Sequence, residues 1–442
     1  MAGRLIFHCD GNNFFASCEC IEHPEWRDVP MAVAGDPKGR CGIVVAKNEL
    51  AKKAGVKTTD TIWQARQKCP NILFVPPHHD EYARVSRRMN AIFREYTDFV
   101  EPASIDESYL DMTGAPGFYG LSPRELADLL RKRVREEIGI TISVGVSFCK
   151  VFAKMGSDYR KPDATTLIFR ENYQEMLYPL PVATMLYAGR ASVQTIARHG
   201  IRTIGELAAR PRADLRRMLG KSGEQLWLYA NGLDDSPVRR YEDRQEVKSV
   251  SRGMTFRRDL VNMEEVRCGV SVLVDEIAAT LRQSGLKGSV ISVTLKAPTL
   301  HTLSHQVTLP HPTYLQQEIR TVTMQLITDH WSVSAKSPVR SITVGVSHLS
   351  GENEAYTEQL SLFDLCTSVG NAEKEPTVGL EKWRRQWRSC GSGLATMRCP
   401  LAVTTTMKSA CGDMGKSAEF SMLDSQFRAY YNRTSRFIFR VY

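Results

Sequence analysis

Ser104-Ile-Asp-Glu-Ser-Tyr-Leu-Asp111 is the stretch on which the reading of this chain turns. It follows Val100-Glu-Pro, and its β-branched and aromatic residues mark a hairpin. Two adjacent carboxylates, Asp106 and Glu107, lie in that hairpin. Upstream, Arg4-Leu-Ile-Phe-His-Cys-Asp10 is an apolar run ending in a third acid, a pattern that predicts a buried strand delivering Asp10 to a surface at its C-terminal end. Between them, Tyr82, Val85, Met89, Ile92 and Phe93 recur at helical spacing within Asp80–Phe99. A helix over 123–138 and a strand over 140–147 follow. The resulting β-α-β-β-α-β order is the split βαβ arrangement, an antiparallel sheet with helices on one face.

Outward from this nucleus the character changes. Residues 43–57 read as a strand and then a basic helix stopped by Gly55. From about 170 to 237 the chain is helical throughout, and a charged linker, Arg239–Lys248, closes that region. Strands return at 250–258, 289–297, 302–309 and 340–348, with helices at 263–284 and 313–332, a second small α+β module. After Ser350 periodicity fails and Gly, Ser, Thr and Cys accumulate.

At 442 residues and 42% hydrophobic, the chain is long enough for several cores, about three domains on length alone. No stretch approaches the ~20 apolar residues of a membrane span, and Met1–His8 has no signal-peptide run, so a cytoplasmic protein is expected. The net charge of +9 favours a polyanionic partner such as nucleic acid, though a merely soluble basic protein has the same balance. Eleven cysteines without a CxxC pair fit reduced thiols better than disulfides or a zinc site.

Asp10, Asp106 and Glu107 suit phosphoryl transfer assisted by two divalent ions, since Mg²⁺ takes hard oxygen ligands and shares them with substrate phosphates. Two points stand against them: each acid could be a solvated turn residue, and neighbours in a hairpin point to opposite faces, so a local twist is needed. A metal-dependent nuclease would use the same three carboxylates.

Asp10-Gly-Asn-Asn-Phe-Phe-Ala-Ser-Cys18 and Ser104–Asp111 closely resemble the two metal-binding motifs of the Y-family DNA polymerases, the error-tolerant lesion-bypass enzymes that include bacterial polymerase IV and the polymerase V catalytic subunit. The resemblance continues through Ser143-Val-Gly-Val-Ser, Val151-Phe-Ala-Lys and Lys161-Pro-Asp, and resumes at Gly200-Ile-Arg-Thr-Ile-Gly-Glu-Leu, Asn231-Gly-Leu-Asp-Asp-Ser-Pro-Val and Lys248–Leu260. It covers residues 4 to about 364 and leaves the subgroup open. It implies an α+β right-hand polymerase: a ferredoxin-like palm (1–20 and 76–168), small fingers (21–75), a helical thumb with a helix-hairpin-helix (169–238), an α+β little finger (239–350) and an irregular tail (351–442).

The same resemblance assigns roles. Asp10, Asp106 and Glu107 become ligands of two Mg²⁺ ions, the last two also catalytic. Phe15 becomes the steric gate whose ring excludes a ribose 2′-hydroxyl, with Phe14 packed beside it. Lys161 reaches the triphosphate of a dNTP. In the fingers the family's Tyr-Glu-Ala-Arg stretch is replaced by Glu49-Leu-Ala-Lys52, so Lys52 stands where an arginine would contact phosphate. In the thumb, Leu186-Tyr-Ala-Gly-Arg190 has Tyr187 for the first glycine, leaving Gly189 to make the turn and Arg190 to meet DNA. Arg252, Arg257 and Arg258 are the expected phosphate contacts of the little finger.

Glu358-Gln-Leu-Ser-Leu-Phe-Asp364 resembles the peptide by which bacterial polymerases bind the sliding clamp, with Gln359, Leu360, Leu362 and Phe363 as contacts. The implied activity is error-prone, template-directed translesion synthesis on primed DNA in repair and the SOS response, by a monomer tethered to the clamp. The alternative is a catalytically decayed protein that still binds DNA and clamp. Beyond Gln386 the tail lacks amphipathic order. Its permitted codons, read two bases later, can spell an arginine-containing peptide, so a shifted frame after about 385 is a further expectation.

Overall fold

The computed structural model describes residues 3–36, 42–243 and 246–352. It divides into two compact units, one running to Val247 and including Thr255–Arg258, the other built from Lys248–Met254 and from Asp259 onward.

The strands of the first unit are β1 (Ile6–Gly11), β2 (Met31–Ala34), β3 (Val44–Lys47), β4 (Leu73–Val75), β5 (Val100–Pro102), β6 (Glu107–Asp111), β7 (Ile142–Ser147) and β8 (Thr165–Ile168). The helices used below are α1 (Phe14–Glu22), α2 (Glu49–Lys53), α3 (Ile62–Lys68), α4 (His79–Arg94), α5 (Ala115–Tyr119), α6 (Pro123–Ile138) and α7 (Lys150–Tyr159). A central sheet has the order β5-β6-β1-β7-β8, and a small one the order β3-β2-β4. The first four members of the central sheet form the expected split βαβ unit, and β8 adds on in parallel to β7.

Alternation along β1 sorts its side chains. Phe7 and Cys9 enter a large core with α4 and α6, where Tyr82, Met89, Phe93, Leu110, Leu126 and Leu130 are also buried. Each fully buried side chain of that size contributes about 1.5–3 kcal/mol. Ile6 turns the other way and packs with Tyr109 and Ala153. That second face is not open: α7 lies against it, correcting the expectation of helices on one face only. Gly145 makes this possible, since a Cβ there would come within 1.9 Å of the Ala153 carbonyl oxygen. Helix and sheet backbones approach more closely than any side chain at this position allows.

The region from 170 is helical as expected only to Ala230, beyond which the chain leaves helix, with α8 (Tyr173–Leu177), α9 (Arg190–Arg198), α10 (Ile204–Ala209), α11 (Arg212–Leu219) and α12 (Lys221–Ala230) around Leu177, Ile196, Leu207, Leu215 and Leu226. In the other unit, β9 (Ser249–Leu260), β10 (Leu286–Lys296), β11 (Thr302–Thr313) and β12 (Val339–Gly351) form a sheet ordered β11-β10-β12-β9, with α13 (Met263–Ser284) and α14 (Gln316–His330). All four strands run longer than the hydrophobic pattern predicts, because exposed polar residues such as those of β11 still complete the ladder.

Candidate active site

The two central strands bring the acids together. In the antiparallel register of β1 and β6, Asp10 faces Glu107 directly. Asp106 lies in the turn just before β6, outside the pleat, and this is how neighbouring acids come to share one neighbourhood. The turn is held by the Gly11 amide, which donates to the Asp106 carbonyl at 2.9 Å. Ser104 Oγ donates to the Asp106 carboxylate at 2.7 Å. Gly11 has no room for a side chain, because a Cβ would meet the Phe14 ring at 2.9 Å.

Their charges are unequally balanced. Burial, with Asp10 and Glu107 adding like charge, pushes the Asp106 carboxyl up despite the Ser104 hydroxyl. For Glu107, burial acts in the same upward direction, but His8 and Lys154 hold the carboxyl well below the ordinary range. Lys154, from α7, donates at 2.8 Å to Asp10 and 3.0 Å to Glu107. Lys161 lies 2.7 Å from Asp10, and both lysines contact Asp158. Burial disfavours both ammoniums, yet the facing carboxylates raise their affinity for the proton.

Lys154 was not among the residues singled out as site residues. It stands in the quoted Val151-Phe-Ala-Lys motif, and only the close seating of α7 at Gly145 shows that it bridges two site acids. Asn12 was also missed. Its side-chain oxygen accepts from the Asp163 amide at 2.6 Å, and its nitrogen donates to Ser143 Oγ, so it fixes the loop that carries Lys161. His8 is fully buried beneath Glu107, with Nε2 3.7 Å from the carboxylate and no hydrogen-bond partner for that nitrogen. Burial lowers its basicity.

Three hard carboxylates at one sheet end suit a divalent ion. Among the described residues, no three acids, histidines or cysteines are closed around a point. Asp10 and Glu107 instead converge on the Lys154 ammonium, so the donors fit a cation by type and grouping.

Phe14 is buried and Phe15 half-buried at the start of α1, entered through Asn13 in the left-handed conformation. Lys52 donates to Glu49, which accepts from Asn13. This links α2 to the residue two before Phe15. Tyr187, not Gly189, takes the left-handed turn at φ 64°, and Gly189 is the residue before α9, which opens with the exposed Arg190. Arg252 is engaged with Thr280 and Glu276 of α13, and Arg257, exposed on β9 as Arg258 is, lies 3.5 Å from Asp36. Gln359, Leu360, Leu362 and Phe363, and the stretch after 385, lie outside the described residues.

A split βαβ sheet with carboxylates grouped at the end of its central strands suits metal-assisted phosphoryl transfer. Residues 9–158 match the model of the impB/mucB/samB family, and residues 247–362 match that of its C-terminal domain. DNA polymerase IV of Acetivibrio thermocellus is 41% identical over 360 residues, 81% of this chain and 89% of that protein. DNA polymerase IV 1 of Bacillus subtilis is 37% identical over 81% of this chain and 85% of its own length. A solved Y-family DNA polymerase chimera, Dbh-Dpo4(243-245)-Dbh, shares the fold with a TM-score of 0.68 at 23% identity, covering 78% of this chain and 98% of that one. The chain belongs to the impB/mucB/samB family, the Y-family DNA polymerases. Enzymes of this family are in general dependent on divalent metal and act on DNA and dNTPs. No helix among the described residues is long and apolar enough to cross a membrane.

Proposed function

We propose that this chain extends primed DNA by translesion synthesis, with Asp10, Asp106 and Glu107 holding two Mg²⁺ ions. The carrying observation is the pairing of Asp10 with Glu107 across β1 and β6, with Asp106 in the adjoining turn. Divalent ions held by these carboxylates would supply activation of the primer 3′-oxygen and charge neutralisation at the departing pyrophosphate. Lys161, tied to Asp10 and Asp158, turns to the incoming triphosphate, where a compact ammonium offsets developing charge. Lys154 balances Asp10 and Glu107 before substrate arrives. Phe15 presents its open face to the sugar and leaves no room for a 2′-hydroxyl.

In this reading the central sheet is the palm, the small sheet with α2 and α3 the fingers, residues 169–238 the thumb and 239–350 the little finger. Lys52 supports the triphosphate from the fingers. Gly189 and Arg190 contact DNA phosphate from the thumb, and Arg257 and Arg258 do so from the little finger. Arg252, beside Glu276, and Arg257, beside Asp36, would each exchange a carboxylate for phosphate. Gln359, Leu360, Leu362 and Phe363 tether a cytoplasmic monomer to the sliding clamp. The intact carboxylate set speaks against a decayed enzyme. Primer extension with Mg²⁺ and single dNTPs tests the proposal: template-directed addition supports it, and DNA binding without extension overturns it.

A further inference from the structure

Phe15 does not stand alone. Its ring stacks on Tyr82 of α4, with centroids 4.3 Å apart and planes 14° from parallel. The edge of His79 meets both rings, at 5.7 Å and 5.5 Å. Tyr82 is fully buried, so whatever fixes Tyr82 fixes the surface against which Phe15 rests. What fixes it is a carboxylate. Tyr82 Oη donates to Glu19, and Glu19 is itself buried at 7% exposure. Glu19 lies four residues after Phe15 on α1, so both side chains leave the same helical face toward α4.

A buried carboxylate needs donors for its lone pairs. Glu19 receives a second one from His78, whose Nδ1 lies 3.0 and 3.1 Å from its two oxygens. An ionised carboxylate only accepts, so His78 carries a proton on Nδ1. His78 is half exposed and occupies the position just before α4. The chain His78–Glu19–Tyr82 therefore fastens the first turn of α4 to α1 directly behind the Phe15 ring.

We propose that Glu19 and His78 are positioning residues for sugar selection: by holding the Tyr82 hydroxyl, they set the depth at which Phe15 meets the incoming nucleotide. This rests on the reading of Phe15 as the sugar-excluding ring. A ring that backs onto a loosely held neighbour yields when a 2′-hydroxyl presses on it. Sugar discrimination then falls while the carboxylates that perform the chemistry stay in place.

The test is the ratio of kcat/KM for a dNTP to that for the matching rNTP, measured by single-nucleotide extension. Tyr82→Phe keeps the stacked ring and removes only its tie to Glu19. It should lower the ratio about three- to tenfold, the value of one buried hydrogen bond. Glu19→Ala should lower it further, whereas Glu19→Gln, which still offers an oxygen to Tyr82, should restore most of it. His78→Gln should fall between. Tyr82→Phe and His78→Gln preserve shape, so they keep the test decisive if Glu19→Ala does not fold. Phe15→Ala is the control. If it relaxes the ratio while Tyr82→Phe and both Glu19 variants leave it unchanged, the inference is overturned and the reading of Phe15 stands. If Phe15→Ala leaves the ratio unchanged, Phe15 is not the sugar gate and both readings fall.

Discussion

The central sheet and the small sheet flank the same helix α1 yet are built to different standards. The core of the central sheet is filled with large side chains, among them Phe7, Tyr82, Phe93 and Leu110, all inaccessible to solvent. The small sheet has a core on each face: Ala32, Val44, Ala51, Val56, Ala65, Cys69 and Ile72 on one, and Met31, Val33 and Val75 with Ala16 and Cys20 of α1 on the other. Apolar area scales with side-chain size, and these residues are smaller on average than those of the central core. Buried polar groups follow the same division. His8, Asp10, Asn12, Ser108 and Ser143 all lie in the central sheet or at its edge. The lesson is one of function: the part proposed to hold metal carries the larger buried side chains and the buried polar groups, so opening the small sheet locally should cost less than opening the central one.

The largest expected contrast is catalytic. Asp106→Ala should reduce extension on the order of a thousandfold or more while DNA affinity, measured by fluorescence anisotropy, changes little. Substantial residual extension by the purified variant would break the assignment of the central sheet as the chemical centre. The next contrast is in stability. Leu110→Ala should destabilise by about 2–5 kcal/mol, whereas Val44→Ala, with fewer methyl groups to lose, should cost roughly 1–2 kcal/mol. Hydrogen exchange should show the amides of β2 and β3 opening before those of β1 and β6. Equal protection would erase the distinction.

Lys52→Ala sharpens the comparison from the other side. Removing one flexible phosphate contact on α2 should raise KM for the dNTP about tenfold with kcat nearly retained. Steady-state kinetics that show the loss in kcat would place Lys52 with the central machinery instead. The smallest effect concerns Glu101 of β5. Although burial favours its neutral form, Lys150 at 2.6 Å and Arg239 at 2.9 Å hold its carboxyl below the ordinary value of 4.5. A depressed folded value means these ties stabilise above that pH and are lost as pH falls through the folded value. Glu101→Gln should therefore be less stable to urea than the parent at pH 7 by about 1 kcal/mol, with the gap closing below pH 4.5.

The same contrast explains what the sequence disclosed. Helix α6 could be bounded to the residue, because Ser122 and Glu125 form a capping box and Gly139 ends it in the left-handed conformation. The strand carrying Asp10 is legible from its apolar run, interrupted only by His8. Lys154 is not, since its role depends on the close approach of α7 to Gly145, which no periodicity encodes. Tyr187 was passed over for Gly189 because glycine is the default for a left-handed turn, yet here an aromatic residue takes it. For Arg252, pattern alone does not show that Glu276 and Thr280 sit beside it.

The bridge made by Lys154 bears on how this enzyme is kept and recovered. Acids crowded at a sheet end repel one another, and many metal sites lose their structure when the ion is stripped away. Here a lysine of the chain already spans Asp10 and Glu107. Chelation should silence synthesis without loosening the fold, and returning the ion should restore the same molecules with no refolding delay.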